Sequence, residues 1–406
     1  MDEALQWLDG QIYENQRDLI QLANQNSASD NLDGLHRVSS WLQDWLGFEE
    51  ATFESLPLPA RASIDDFGVS AIVEGGRALR WDCRPKASRR VLFAIHYDTV
   101  FPIDSPFQSC QKVAENRLLG PGVADAKGGI VVIRNALRAL EKFHLSENCG
   151  WTILLNPDEE IGSPHSNELL RSMAPDFDFG LLFEPALPSG QLVCQRKGSG
   201  NYAVMVTGVA AHAGRHFEEG RNAITELSRL VNRLDELNGC RPGCTINVGS
   251  FRGGGPVNVV PDRAMARFNV RLVDDESIKW FDQKLADLAM SVNEKDGYSC
   301  KCFGGITSPP KVPGRAMQRL MEHVETSSLA LGLGNVEWVS TGGVCDGNKL
   351  ASAGLPNVDT MGPIGGGLHS EDEWVDLLSI IEKSKLVVDI MKSYAASDLR
   401  FRDYLD

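Results

Sequence analysis

Val91-Leu-Phe-Ala-Ile-His96-Tyr-Asp98 and Trp151-Thr-Ile-Leu-Leu-Asn-Pro-Asp-Glu159-Glu160 decide the reading of this chain. Each is a short apolar run that ends on ionisable groups. Runs of this length, closed by Asn, Pro or Gly, read as fully buried strands of a parallel sheet. Leu181-Leu-Phe-Glu184-Pro185 repeats the pattern. Gly120-Pro-Gly-Val-Ala-Asp125-Ala-Lys-Gly-Gly129 and Gly367-Leu-His369-Ser-Glu-Asp372 add an aspartate and a second histidine, which the pattern also places at strand ends. Ligands of open α/β sheets sit outside the carboxyl ends of the strands. The five segments are therefore expected to meet at one site. A set of two imidazoles and three carboxylates suits a pair of divalent ions, zinc above all.

Working outward, strand signals at 69–74, 91–95, 151–155 and 180–184 alternate with a helix from Gly129 to about Lys142, the doubly wound order. Residues 1–45 read as helical, with a second helix around Val38 to Leu46. The character changes near Gly190. Asn201 to Gly208, Thr245 to Gly249 and Ala264 to Arg271 alternate as strands, and Asn222 to Leu237 and Ser277 to Val292 read as helices. That is the split βαβ arrangement, a small antiparallel sheet with helices on one face. Strands at Val336–Val339 and Asn357–Met361 then precede a last helix from Val375 to about Tyr394. The expected fold is α/β. A mixed sheet with helices on both faces is formed by residues 1–189 and 306–406, and residues 190–305 form an inserted α+β domain.

With 406 residues, 42% of them hydrophobic, the chain is expected to be globular and of two domains. A net charge of −15 argues against nucleic acid or an anionic membrane as the main partner, since both repel an acidic surface. Met1-Asp-Glu begins acidic, so the start does not read as a secretory leader, and no apolar run approaches the roughly 20 residues a membrane span needs. Nine dispersed cysteines, an odd number, suit reduced thiols in a cytoplasmic protein better than disulfides. Cys240-Arg-Pro-Gly-Cys244 and Cys300-Lys-Cys302 lack the spacing of a thiolate zinc site.

At the end of a strand, His96 and Asp98 share a face, so the imidazole can bind metal while the carboxylate accepts from a ring N–H. The glycines around Asp125 have neither phosphate-loop spacing nor the Gly-Lys-Ser/Thr ending, which sets a nucleotide-binding protein aside. They let the backbone fold tightly and aim Asp125, whose two oxygens can bridge two ions. Of the adjacent Glu159 and Glu160, one can ligate while the other faces a metal-bound water of pKa about 7 and moves its proton. An unpaired Glu184 after an apolar run would be costly to bury, so a cation is expected beside it.

From about residue 90 onward, these motifs resemble the co-catalytic zinc hydrolase family of glutamate carboxypeptidase, acetylornithine deacetylase, succinyl-diaminopimelate desuccinylase and aminoacylase, the glutamate carboxypeptidase branch above the others. The resemblance implies a site with two zinc ions (cobalt or manganese as alternatives) bridged by Asp125. His96 and Glu184 would hold one ion, Glu160 and His369 the other. Glu159 takes the place of the general base and Asp98 that of the ligand's orienter. Thr207-Gly-Val-Ala-Ala-His212-Ala-Gly-Arg resembles the segment whose histidine crosses a homodimer into the partner's site. Asn258 and Arg271 match residues that hold a substrate carboxylate. A cis peptide bond after Asp125 is also implied. Two departures stand out: Ala126 replaces a second aspartate, and Thr341-Gly-Gly-Val-Cys-Asp346-Gly-Asn348 matches the substrate-side loop only in outline. The implied function is hydrolysis of the amide of a C-terminal or N-acylated amino acid, in a small peptide-like substrate. A glutamate-releasing exopeptidase comes first and an N-acyl amino-acid deacylase second. A non-catalytic metal or amino-acid binding protein is the reading of another class, and the presence of Glu159 speaks against it.

Overall fold

A computed structural model describes residues 2–66 and 68–405. Its main sheet has six strands in the order Ala51–Pro57, Arg77–Cys83, Gly150–Asn156, Arg90–His96, Phe179–Leu182, Asn357–Val358. The last four run parallel and the first two pair antiparallel, so the sheet is mixed.

The continuous apolar runs follow from two cores. Val91, Phe93 and Ile95 point into one cluster with Trp151, Ile153, Phe179 and Leu181, packed under the helices Lys127–Lys142 and Leu377–Ala396. Leu92 and Ala94 point the other way, with Leu154 and Leu182, against Leu170, Phe177 and Leu350. Alternate residues of one strand thus fill opposite layers. Each such large side chain contributes about 1.5–3 kcal/mol through burial.

Residues 198–308 build the second sheet, ordered Thr245–Gly253, Arg263–Leu272, Gly198–Thr207, Ser299–Ser308, all antiparallel. Helices Ala223–Asp235 and Asp275–Asn293 cover one face through Leu227, Leu230, Phe281 and Leu285. The expected strand–helix–strand–strand–helix–strand order is present.

Three sequence expectations need correction. The strand at Ser70–Val73 is exposed and lies outside the main sheet, in a hairpin with Arg61–Ile64. That hairpin reaches the second sheet, where Arg267 donates to Asp66 and to the Ile64 carbonyl at 2.8 and 2.5 Å. The N-terminal segment forms three helices, Asp2–Asp9, Ile12–Ala23 and Leu32–Trp45. Finally, Asp125 and His369 do not follow strands of the main sheet. Asp125 precedes the helix Lys127–Lys142, and His369 lies between the short strands Gly365–Gly366 and Trp374–Asp376. Among the described residues no helix is long and apolar enough to cross a membrane, and all nine cysteines are free thiols.

Candidate metal centre

Three parallel strands deliver their acids and imidazole side by side. His96 ends its strand and is fully buried, and Glu184 lies just past Phe179–Leu182. Glu159 and Glu160 form one turn of 3-10 helix after Gly150–Asn156. Asp125 reaches them by a different route. A Cβ on Gly129 would lie 2.2 Å from the Phe183 carbonyl oxygen, so only glycine lets the helix start against the strand that carries Glu184. The Asp125–Ala126 peptide is cis. His369 adopts a left-handed conformation with φ of 61°, which costs a non-glycine residue on the order of 1 kcal/mol. Strain of this kind collects where a side chain must be aimed.

The geometry centres on Asp125. Its Oδ1 lies 3.0 Å from His96 Nε2, and its Oδ2 lies 3.4 Å from His369 Nε2. Glu184 Oε2 is 3.8 Å from His96 Nε2, and Glu160 Oε2 is 3.2 Å from His369 Nε2. Ligands 2.0–2.1 Å from a tetrahedral ion stand about 3.3 Å apart, so these separations match donors around a cation. Glu160 Oε1 is buried without a hydrogen-bond partner, and the ligand atoms of His96, Asp125 and Glu160 all lie within 4.8 Å of one another.

The electrostatics agree. Burial pushes Glu160 up to about 7, against the His369 hydrogen bond. Burial also raises Glu184 and, joined by the charge of Glu184, lifts Glu159 well above the carboxylate range. Burial works against a charged His96, yet its contacts with Asp125, Asp98 and Glu184 raise it. His369 is raised to about 10 by Asp125 and Glu160. Acids that resist ionising and imidazoles that hold protons are what crowded anions without enough positive charge produce. A divalent cation relieves both.

Asp98 does more than its sequence position indicated. Its Oδ1 stands 3.3 Å from His96 Nδ1, as expected of an orienting carboxylate. Its two oxygens also accept the backbone N–H groups of Glu159 and Glu160, each at 3.2 Å, and Oδ2 takes a hydroxyl from Ser29 at 2.6 Å. Sequence reasoning missed Glu373 altogether, because the Ser370-Glu-Asp-Glu373 stretch reads only as the loop that follows His369. Its buried carboxylate accepts the N–H groups of Gly122, Ala124 and Asp125 at 3.0, 2.9 and 3.0 Å.

A cavity of about 420 Å³ opens from the cluster, lined by Asp125, Glu159, Glu160, Glu184 and His369 and walled by Leu187, Val193, Val344 and Leu368. At its base Arg196 is locked to Asp359 at 2.9 and 2.8 Å, and Lys311 reaches the same carboxylate at 2.6 Å. A larger cavity of about 710 Å³ lies under the 61–73 hairpin and contains none of the cluster. Arg271 is half-buried and donates to the Gly342 carbonyl at 3.4 Å, at the edge of the smaller cavity. His212 and Asn258 are exposed neighbours on one small ribbon of the second domain, and neither lines the cavity of its own chain.

A histidine–carboxylate cluster at the mouth of a mixed sheet, buried except for His369 at its rim and set beside a split-βαβ domain, defines a two-domain metallohydrolase class. Residues 194–297 match the model of the peptidase dimerisation domain of the M20 family. Carboxypeptidase G2 from Pseudomonas sp. (strain RS-16) is 29% identical over 315 residues, 75% of each chain. A succinyl-diaminopimelate desuccinylase from Acidovorax ebreus is 26% identical over 338 residues, 78% of this chain and 83% of the relative. The M20 metallo-carboxypeptidase structure from Sulfolobus solfataricus superposes with a TM-score of 0.73 at 16% identity, covering 95% of this chain and 100% of that one. In the second domain, in sequence over three quarters of its length and in fold, the chain is similar to the M20 peptidases.

Proposed function

We propose that the chain is a two-metal amide hydrolase that releases a C-terminal amino acid, with a glutamate carboxypeptidase-like exopeptidase as the first reading. The observation that carries it is Asp125, whose two oxygens each face a different imidazole, with one further carboxylate beside each pair. His96 and Glu184 would hold one ion, Glu160 and His369 the other, with Asp125 between them. Zinc fits the nitrogen and oxygen donors, and cobalt or manganese could substitute. When bound, the ions supply Lewis acidity toward the amide carbonyl and acidify the attacking water.

The remaining chemistry belongs to the chain. Glu159 accepts the water's proton on a carboxylate oxygen and delivers it to the leaving nitrogen. Asp98 holds His96 in orientation and pins the Glu159–Glu160 turn. Arg271 and Asn258 grip the substrate carboxylate, and His212 acts on the partner subunit's site in a two-fold homodimer. That role accords with its exposure away from its own cavity. Free thiols throughout favour a reducing, cytoplasmic setting.

The desuccinylase relative supports a second reading, cleavage of an N-acyl group from an amino acid. The discriminating experiment is a substrate panel, N-acyl and folate-like glutamates against N-acetyl and N-succinyl amino acids, on protein loaded with zinc, cobalt or manganese. Glutamate release from the first group is expected. Preference for the second moves the protein to the deacylase reading, and equal activity after chelation overturns both.

A further inference from the structure

The turn that carries Glu159 is held on two flanks. Asp98 takes the N–H groups of Glu159 and Glu160. On the other flank stands a buried ion pair from the second half of the catalytic domain. Asn156, just before the turn, donates to Asp346 Oδ2 at 2.7 Å. Ser163, just after it, donates its hydroxyl to Asp346 Oδ1 at 2.5 Å. Lys349 Nζ donates to the same Oδ1 at 2.8 Å and to Ser163 Oγ at 3.0 Å. Asn156, Ser163, Asp346 and Lys349 are each at most 3% exposed.

We infer that Asp346 and Lys349 are positioning residues for Glu159, fixing its turn against the wall of the substrate cavity. The inference rests on the reading of Glu159 as the proton shuttle.

Three physical points carry it. First, the turn closes through its own Gly162 and Ser163 N–H groups on the Glu159 and Asp158 carbonyls, each at 2.7 Å, but leaves Ser163 in a left-handed backbone with φ of 55°. A serine in that region costs on the order of 1 kcal/mol, and the bonds of its hydroxyl to Asp346 and Lys349 help to hold it there. Second, Asp346 and Lys349 lie on the helix Asp346–Ser352, directly after the Thr341–Cys345 loop that lines the cavity. Whatever that wall contacts is therefore set rigidly against the carboxylate that moves the proton. Third, stability does not explain the choice of charges. A buried ion pair is often no more stabilising than apolar residues of the same volume. It does impose fixed directions on the Asn156 and Ser163 side chains that flank the turn.

The test is a double-mutant cycle with Glu159→Gln, using the best substrate of the panel. Lys349→Met should lower kcat about 10–100-fold, the scale of a misplacement of about 1 Å, with KM within about twofold and metal content unchanged. In the Glu159→Gln background the same change should lower the residual rate by less than twofold, because residues acting as a unit are not additive. Ser163→Ala removes a single hydroxyl and repeats the test should Lys349→Met fail to fold. Equal losses in both backgrounds, or no loss of kcat in wild type, overturn the inference. Full activity in Glu159→Gln alone would overturn the proton-shuttle reading instead, so the two failures are distinguishable.

Discussion

Replacing Glu373 is the sharpest probe of how the metal loop is held. Its carboxylate is 1% exposed and accepts three backbone N–H groups at 2.9–3.0 Å, two on Oε1 and one on Oε2. Burial and the nearby Asp125 charge push this carboxyl up to about 7, while the three N–H groups pull it back. Two oxygens acting only as acceptors fit the ionised form. Glu373→Ala strands three buried donors at about 1–3 kcal/mol each, and entry of water into the gap limits the total to about 3–5 kcal/mol. Glu373→Gln keeps Oε1 for Ala124 and Asp125 but turns an amide N–H₂ toward the Gly122 N–H. One donor facing another gives about 1–3 kcal/mol.

Because the loop carries Asp125, metal affinity should also fall, by about 10–100-fold for a lost outer partner. Urea unfolding of the chelated protein measures the first quantity, and chelator competition on the loaded protein measures the second. Glu373→Gln with wild-type midpoint and wild-type metal affinity would refute the reasoning. A loss of affinity without loss of stability would confine the role to aiming Asp125.

Four further outcomes are expected. Glu159→Gln should retain metal by elemental analysis while turnover drops about 10²–10⁴-fold; loss of metal would mean that Glu159 and Glu160 have been assigned the wrong way round. His212→Ala should be nearly inactive yet folded and metal-loaded, and mixing it with Glu159→Gln should restore partial activity through heterodimers with one complete site. Asp359→Ala leaves Arg196 and Lys311 buried without their anion and should cost about 3–5 kcal/mol by chemical denaturation. Against burial, those two cations hold Asp359 well below the usual carboxylate range, so its stabilisation is full above about pH 4 and falls away as the pH drops further. Lys383 is buried and pushed down to about 8. It is charged in both states below that pH, so its penalty is complete there and fades between about pH 8 and 10.4. Lys383→Met should therefore stabilise the protein at pH 7 by up to about 3 kcal/mol, and by little at pH 10.5.

Much of this protein is written locally. The runs at 91–96 and 151–156 specify buried strands because each residue meets an apolar layer on one side or the other. His96, Glu159, Glu160 and Glu184 then follow at the strand mouths by chain continuity. The split βαβ order of the inserted domain is equally legible, since period and turn chemistry are local properties. What the sequence left open depends on distant segments. Ser70–Val73 looks like any strand, and only the pairing of Arg267 with Asp66 across two domains shows where its hairpin goes. Asp125 and His369 reach the cluster through loops, one set by the close approach of Gly129 to Phe183 and the other by a strained backbone. Glu373 and Asp346 look like ordinary surface acids in sequence, and Asp98 shows there only as a partner for His96, not as the anchor of the Glu159–Glu160 turn. Tertiary structure buries each against main-chain N–H groups or side-chain donors from remote parts of the chain, and burial without water makes those contacts strong. Residue types alone named the chemistry; the aim of each carboxylate was fixed only when the chain closed around it.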